Sequence, residues 1–507
     1  MVFSDLFFLF AFLPSFALCY LLGMLIDRTG WHRADPNIPG GHGADLNNDR
    51  LKVRNLVLIV FSLIFYAWGE PVYVFLMLVS VLLNYLAGRA IDSGEGVRRK
   101  KMLAAGVAVN LLILGTFKYL GFLVSTLIAI LASVLPSDFS PLTNNLSSLT
   151  PTLSLPIGIS FYTFQSISYL VDVYRREAPV QRRFMGLLLY ISMFPQLIAG
   201  PIVRYGTVAH EIAHRRVSAS DLSEGIYRFL RGLGKKVIVA NQLSELSTLF
   251  LVDELGSLTT TGAWVGIVAF TMQIYFDFSG YSDMAIGLGR CLGFHFNENF
   301  RHPYCCSTIT DFWRRWHISL GSFFRDYVYI PMGGNRRHQA TNIMVVWFLT
   351  GLWHGASWNF VLWGVYFGII VMLEKHTILR IAHLPSIVSH LYSMLLVIIG
   401  WGIFYFDDFG QMTTFFHSFF GLNATFHDFI TESALTDNFW LWVVAVVLCM
   451  PVRTACASLL CRYTHDGDRV RTLTVFTVRT LLSVAILVLS VALLVGATNN
   501  AFIYTRF

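Results

Sequence analysis

Apolar residues are gathered into long runs along this chain, and they do not alternate with polar residues at a helical or strand period. Two clear runs extend from Leu6 to Ile26 and from Leu481 to Val495. A helix needs roughly 20 apolar residues to cross bilayer hydrocarbon, and backbone groups in lipid must bond within their own segment. The pattern predicts an all-α, polytopic membrane protein with about a dozen spans or half-spans, since helices of this length satisfy both conditions.

Two of the apolar stretches are interrupted. The stretch from Gly186 to Val203 contains Gly200-Pro201, and the stretch from Asn342 to Leu373 contains His354-Gly355. Irregular backbone at membrane depth is tolerated only where it is buried in protein or lines an aqueous cavity. The two breaks therefore predict re-entrant helices around an internal cavity.

Composition supports the membrane class. Of the 507 residues, 55% are hydrophobic and 13% are charged, and the mean hydropathy is +0.59. A soluble protein carries about 25% charged residues, so a polar exterior is missing. We find no linker that divides the chain, which predicts a single integral membrane domain over residues 1–507. No internal repeat is visible, which disfavours a transporter of the inverted-repeat kind.

The net charge of +7 is explained by topology. Basic residues follow the first apolar run, and Arg98 to Lys101 form a second basic group. In contrast, three polar segments contain no Lys or Arg: residues 137–150, Asp253-Glu254 and residues 407–437. The positive-inside rule places the basic loops in the cytoplasm and both termini outside. We therefore expect membrane lipid to surround the protein, and no nucleic-acid partner.

Seven cysteines are present, and none lies in the segments predicted to be outside. No structural disulfide is suggested, because such bonds form in oxidising compartments. The adjacent pair Cys305-Cys306 does not have the spacing of zinc ligands. The sequence therefore predicts no metal site.

A cluster rich in Arg and aromatic residues extends from Asp311 to Arg337, and in it Trp313 and Trp316 flank two arginines. One interpretation is an amphipathic helix at the membrane interface, anchored at headgroup level by Trp and Arg. The other is a cytoplasmic mouth whose arginines receive a phosphorylated ligand. Composition alone favours the interfacial helix.

His354 is an ionisable residue at the break of an otherwise apolar stretch, with Gly351 and Gly355 beside it. A structural histidine bonded to a carbonyl is one interpretation. The other is functional, since ionisable residues inside the membrane are costly and imidazole accepts a proton near neutral pH. Asp277 and Asp283 are also in apolar surroundings; they could relay protons, but pairing with Arg290 is the favoured interpretation.

The chain resembles the membrane-bound O-acyltransferase superfamily, in its bacterial alginate O-acetylation branch. The resemblance covers nearly the whole chain and is carried by residues 155–174, 194–204, 313–335 and 349–363, by the opening Met1-Val-Phe-Ser4 and by the closing Phe502-Ile-Tyr504. It implies a polytopic helical fold whose re-entrant helices surround a central tunnel. It also implies that the two characteristic histidines of the family are His317 and His354.

The resemblance implies roles for these residues. His354 would be the catalytic general base, and His317 would orient the donor or help to transfer protons. Arg314, Arg315 and Arg336 would contact the phosphates of coenzyme A. The tail residue Tyr504 would either anchor the chain at the interface or accept the acyl group as a relay.

The implied activity is transfer of acetyl from cytoplasmic acetyl-CoA across the bacterial inner membrane, for O-acetylation of an alginate-like or other cell-surface polysaccharide. The donor is a substrate, and no permanently bound cofactor is implied. A separate secreted or periplasmic acetyltransferase would be the partner. Two alternatives stay open: export of D-alanine or another acyl group from a carrier-protein thioester, and transport without covalent chemistry.

Overall fold

The computed structural model describes residues 2–29, 52–134, 153–198, 200–378, 385–422, 425–452, 469–497 and 502. Within these ranges the regular structure is helical, and no strand is present. The predicted all-α fold is confirmed.

Five helices come before the first re-entrant region. They are α1 (Leu13–Thr29), α2 (Lys52–Gly69), α3 (Tyr73–Ser93), α4 (Gly96–Leu114) and α5 (Leu120–Val134). A π-helical turn, Phe8–Phe12, precedes α1, and a second, Gly115–Tyr119, joins α4 to α5. Helices α1 and α2 pack side by side, as do α3 and α4. Buried Asn84 and Asn110 exchange side-chain hydrogen bonds of 2.7 and 3.0 Å between α3 and α4.

The middle of the chain supplies the central helix. These helices are α6 (Ile159–Arg175), α7 (Phe184–Ser192), α8 (Phe194–Leu197), α9 (Tyr205–His214), α10 (Ala219–Gly234), α11 (Asn241–Thr248) and α12 (Thr260–Cys291). Helix α12 has 32 residues and is buried for most of its length. Its Gly280 lies against the backbone carbonyl of Gly232 on α10, where a Cβ atom would be only 2.8 Å from that oxygen. Small residues permit such close approach between membrane helices.

The last third of the chain carries the polar cluster and the second break. Its helices are α13 (Ile309–Arg315), α14 (Ile318–Phe324), α15 (Gln339–His354), α16 (Trp358–Leu373), α17 (Ser386–Tyr405), α18 (Phe409–Phe419), α19 (Phe429–Asp437), α20 (Phe439–Cys449) and α21 (Arg469–Val495). Further π-helical turns are Lys235–Ala240, Leu249–Asp253, Arg325–Tyr329 and Glu374–Ile378, and short 3-10 turns are Leu255–Ser257 and Pro303–Cys305.

Some of the described helices are long and apolar enough to cross a membrane by themselves. Among the described residues there are six, or seven if the pair α19–α20, bent by 65°, counts as one span. The first and last of the six, Phe8–Asp27 and Thr474–Val495, contain most or all of the two long apolar runs. Many of the predicted half-spans are short buried helices, because their apolar residues pack against protein.

Both predicted breaks are present. The chain is non-helical at residues 200–204, between α8 and α9, and again over residues 355–357, between α15 and α16. A further interruption is at Met193, between α7 and α8. Helices α15 and α16 form a tight hairpin in which the Cα of Gly364 is 3.4 Å from where a Cβ on Gly351 would lie. The break exposes the end of α15 to the interior of the molecule.

The basic loops meet at one end of the helices. Arg99 donates to the Val173 carbonyl at 2.9 Å, Arg175 donates to the Asp326 carbonyl at 3.0 Å, and Arg204 pairs with the Asp326 carboxylate. Burial opposes ionisation of Asp326, but hydrogen bonds from Arg325 and Arg204 outweigh burial and hold the pKa of this carboxyl below its usual value. The positive-inside rule predicts that this basic end is cytoplasmic.

Two of the segments predicted to be outside are also close together, since the residues that follow Asp253-Glu254 contact the segment of residues 407–437. Thr259, just before α12, donates to the Asp428 carboxylate at 2.9 Å, and the Thr261 amide donates to the Phe426 carbonyl at 3.0 Å. The third such segment, residues 137–150, lies outside the described residues.

The buried acids of α12 are held in ion pairs, but Arg290 is not their partner. Asp283 accepts from Arg228, Arg231 and Lys235 at 2.9 to 3.1 Å. Asp277 pairs with Lys236 at 2.7 Å, whereas Arg290 pairs with Asp221. The partners lie on α10 and on the π-helical turn after it, so these pairs join that segment to the central helix.

Candidate active site

His354 is the last residue of α15, at the point where the hairpin breaks. Its side chain is buried among aromatic rings, with centroids 5.0 Å from Trp363 and 5.4 Å from Phe404. Gly355 follows in extended conformation, with φ −165°. The break therefore presents an imidazole at the end of a helix, deep inside the protein.

His317 lies between α13 and α14 and has left-handed backbone, with φ 43°. This conformation is uncommon for a residue with a side chain, and such residues are frequent at functional sites. Its Nδ1 is 3.2 Å from Oδ1 of buried Asn299, which also accepts from the Ser319 hydroxyl at 2.9 Å. The ring of Phe278, on α12, packs edge-on against the imidazole at 4.7 Å. His317 is thus fixed by polar and aromatic neighbours from distant parts of the chain.

The two histidines line one internal cavity of about 460 Å³. The Trp353 ring lies beside both, with centroids 5.7 Å from His317 and 5.1 Å from His354. Hydroxyl, aromatic and aliphatic side chains form the rest of the wall: Thr310, Trp313, Trp316, Ile318, Leu320, Ser322, Phe324, Val346, Trp347, Thr350 and Val371. The cavity is partly open to the surface, and in it imidazole can act on a bound substrate. The predicted tunnel through the whole membrane stays a prediction.

Cationic side chains stand where the cavity meets the surface. Arg314, exposed on α13, lines it, and so do Arg325 and Lys375, which the sequence did not single out for this role. Arg315 instead turns to Asp311, at 3.0 Å. Arg336 is exposed and does not line the cavity. Of the three arginines expected to contact the donor, the structure brings Arg314 to the cavity wall.

Helix α13 is held in place by a buried carboxylate from another part of the chain. Glu374 accepts from the backbone amides of Ile309 and Thr310 at 2.7 and 2.8 Å, and from the Thr310 hydroxyl. Trp316 is 1% exposed and Trp313 packs on Trp347. The interfacial interpretation of this cluster is therefore wrong for its tryptophans, which belong to the protein core and to the cavity wall.

Phe502, in the C-terminal tail, lies in the core near the aromatic residues that surround His317. Helix α21 packs along α10, but Phe502, beyond its end, is buried against the Tyr281 ring at 4.7 Å and near Phe278 at 6.3 Å. Phe278 is the residue that packs on His317. Tyr504 itself lies outside the described residues.

Among the described residues, no group of three or more His, Cys, Asp or Glu side chains is placed to hold a metal ion. The five cysteines in the described ranges are free thiols. Cys456 and Cys461 lie outside those ranges.

The fold and the site together describe a polytopic membrane enzyme with two histidines on an internal cavity. A family model described as membrane-bound O-acyltransferase matches residues 112–406, which include both histidines. The chain therefore belongs to the membrane-bound O-acyltransferase family, and it is a multi-pass membrane acyltransferase.

Individual relatives in this family differ in the group that their names say they transfer. The chain is 40% identical to the probable alginate O-acetylase of Azotobacter vinelandii over 413 residues, covering 80% of this chain and 75% of that protein. It is 33% identical to the peptidoglycan O-acetyltransferase of Helicobacter pylori over 351 residues, covering 63% and 64%. It is 29% identical to the teichoic acid D-alanyltransferase of Bacillus subtilis over 268 residues, covering 48% and 66%.

Proposed function

We propose that this protein takes acetyl from acetyl-CoA at the cytoplasmic end and passes it across the membrane for O-acetylation of an extracytoplasmic polysaccharide. The observation that carries the proposal is the cavity that holds His317 and His354 and has Arg314, Arg325 and Lys375 at its edge. The similarity to proteins named O-acetylase and O-acetyltransferase supports acetyl as the group.

The chemistry needs one base and one thioester. His354 takes the proton of the acceptor hydroxyl as its oxygen attacks the carbonyl carbon of acetyl-CoA. The new C–O bond forms, the C–S bond breaks, and the proton leaves with the coenzyme A sulfur as a thiol. His317, fixed by Asn299, orients the donor or relays that proton.

The cationic side chains at the edge of the cavity can bind the phosphates of the donor. Coenzyme A carries phosphates, and Arg binds phosphate oxygens through charge-assisted hydrogen bonds. Arg314, Arg325 and Lys375 supply these charges on the cavity wall, and this end of the molecule also holds the basic loops. The acetyl thioester would then enter the cavity towards the histidines.

The acceptor side requires a second protein. We infer that a separate secreted or periplasmic acetyltransferase receives the acetyl group and places it on an alginate-like or other cell-surface polysaccharide. Tyr504 is the proposed relay, since a phenol deprotonated by a histidine is a competent nucleophile. The burial of Phe502 beside Phe278, which contacts His317, supports a tail that reaches the site.

Donor identity is the test of this proposal. Purified protein in nanodiscs is mixed with [¹⁴C]acetyl-CoA, and release of free coenzyme A is followed with and without an acceptor. The proposal expects release that depends on His354. The alternative function, D-alanyl export, expects no reaction with acetyl-CoA and reaction with an aminoacylated carrier protein. A pure transporter would cleave neither thioester.

A further inference from the structure

One buried lysine lies at the end of the helix that carries His354. Lys118 is 8% exposed and belongs to the π-helical turn Gly115–Tyr119. Its Nζ donates to the carbonyl of Trp353 at 2.5 Å and to the carbonyl of His354 at 3.4 Å. The hydroxyl of Ser160 on α6 is a third partner, at 3.3 Å.

These contacts supply hydrogen-bond donors to carbonyl groups that the break leaves without helical partners. The last carbonyls of a helix have no intrahelical donor, and a buried carbonyl left unbonded costs free energy. The partial negative charge at a helix C-terminus also favours a cation there. An ammonium group has three N–H bonds, which matches the three acceptors around Nζ. Lys118 therefore acts as a remote cap for α15.

Tyr119, the next residue in the turn, caps the carbonyl that precedes those of Trp353 and His354. The Tyr119 hydroxyl donates to Leu352 at 2.7 Å. Neighbouring side chains on an α-helix point about 100° apart, so two in a row seldom reach one target. Here the pair comes from a π-helical turn, a local irregularity that is frequent at functional sites. Three successive carbonyls, those of residues 352 to 354, are thus bonded by this turn.

We propose that Lys118 is a positioning residue, which fixes the broken end of α15 and so aims His354 into the cavity. The inference rests on the proposed role of His354 as the base. Lys118 does not line the cavity and does not touch the substrate site. It acts through the backbone of Trp353 and His354, which carries the imidazole.

The test compares two variants and a matched control. Lys118→Met keeps the aliphatic stem and removes the donor, whereas Lys118→Gln keeps N–H donors. Asn110→Ala, on the same continuous helix, breaks the buried pair with Asn84 and does not touch α15. For each protein we would measure kcat and KM for acetyl-CoA, the unfolding temperature, and hydrogen–deuterium exchange of the peptide over residues 349–358.

A displacement of about 1 Å at a reacting group can lower a rate by about 100-fold, so we expect Lys118→Met to lower kcat by about 10- to 100-fold with KM unchanged. Exchange at residues 352–355 should become faster, and Lys118→Gln should retain more activity than Lys118→Met. Asn110→Ala should lower the unfolding temperature but keep the parental kcat.

The inference is overturned if Lys118→Met, or Lys118→Leu where Met does not fold, has parental kcat and parental exchange. A lower unfolding temperature with parental kcat would also overturn it, because the lysine would then support only the fold. If the parent does not react with acetyl-CoA, the proposed function fails. The exchange measurement then decides about Lys118 alone: faster exchange supports the inference and unchanged exchange overturns it.

Discussion

At the scale of single residues, the two histidines are fixed by different means. His317 is held by side chains, through Asn299 and Phe278, in a left-handed backbone conformation. His354 is held through its backbone, as the last residue of a helix whose end is capped by Lys118. Because the caps bond carbonyl oxygens and not the imidazole, removal of the His354 side chain should leave the helix end intact.

This difference makes the catalytic role of His354 testable without loss of the fold. A positioned general base contributes about 10²–10⁴-fold in rate, so His354→Ala should abolish detectable acetylation. His317→Ala should have an equal or weaker effect. The measurement is acetylation of polysaccharide in cells, with membrane insertion and yield of purified protein as controls. Near-normal acetylation by a well-expressed His354→Ala protein would rule out the assignment.

Tyr504 can be tested by removal of a single oxygen. Tyr504→Phe keeps the ring and deletes the hydroxyl that a relay needs. If Tyr504 accepts the acyl group, activity should fall to nearly the level of His354→Ala, whereas an interfacial anchor should retain nearly full activity. The readout is acetylated polysaccharide in cells. Parental acetylation by Tyr504→Phe would show that the tail is an anchor.

At the scale of helices, close packing depends on small residues at a few crossings. Gly232 of α10 and Gly280 of α12 meet backbone to backbone, and the buried ion pair of Lys236 with Asp277 lies directly beside this crossing. Phe278 of the central helix α12 packs on His317, so the geometry of the site depends on close packing of α10 against α12. The crossing is therefore a sensitive point for stability, although it contains no catalytic group.

A side chain at this crossing should separate the helices. Overpacking costs about 1–3 kcal/mol, and here the new atoms would meet backbone, which cannot move aside as a flexible side chain can. We expect Gly280→Val to lower the unfolding temperature in detergent. Gly256→Ala is the matched control, because a Cβ there meets nothing within 4 Å. Equal unfolding temperatures for the two variants would contradict the predicted close approach.

At the scale of the whole molecule, the two ends differ in charge. Arg99, Arg175 and Arg204 converge on Val173 and Asp326 at one end, whereas the segment around Phe426 and Asp428 meets the start of α12 at the other. The proposed route of the acyl group, from a cytoplasmic donor to an external acceptor, depends on this orientation.

Sidedness can be measured by cysteine labelling in a background without native cysteines. Cysteines at Ser147 and His427 should react with an impermeant maleimide in intact cells, since the segments that contain them lack Lys and Arg. Cysteines at Arg98 and Arg337, both exposed in the structure, should react only after permeabilisation. The reverse pattern would overturn the orientation and the proposed route with it.

The sequence by itself determined the membrane class, the all-α fold, the two helix breaks and the family. These properties follow from the length of apolar runs, from local interruptions and from contiguous motifs, and each can be read within a short window. The sequence did not separate full spans from half-spans, because a short apolar segment has the same composition whether it faces lipid or packs inside protein.

Only the tertiary structure decided which side chains meet. Lys118 lies 235 positions from Trp353 along the chain, and Asn299 is 18 positions from His317, so no local pattern pairs them. Arg290 was the nearest basic residue to Asp283 in sequence, yet residues of α10 and of the turn after it hold that acid. Helix crossings fix these contacts, and crossings depend on how whole surfaces pack. For the same reason the cavity is visible only in the folded molecule. The folded molecule also shows that Arg314 lines the cavity, whereas Arg315 and Arg336 do not.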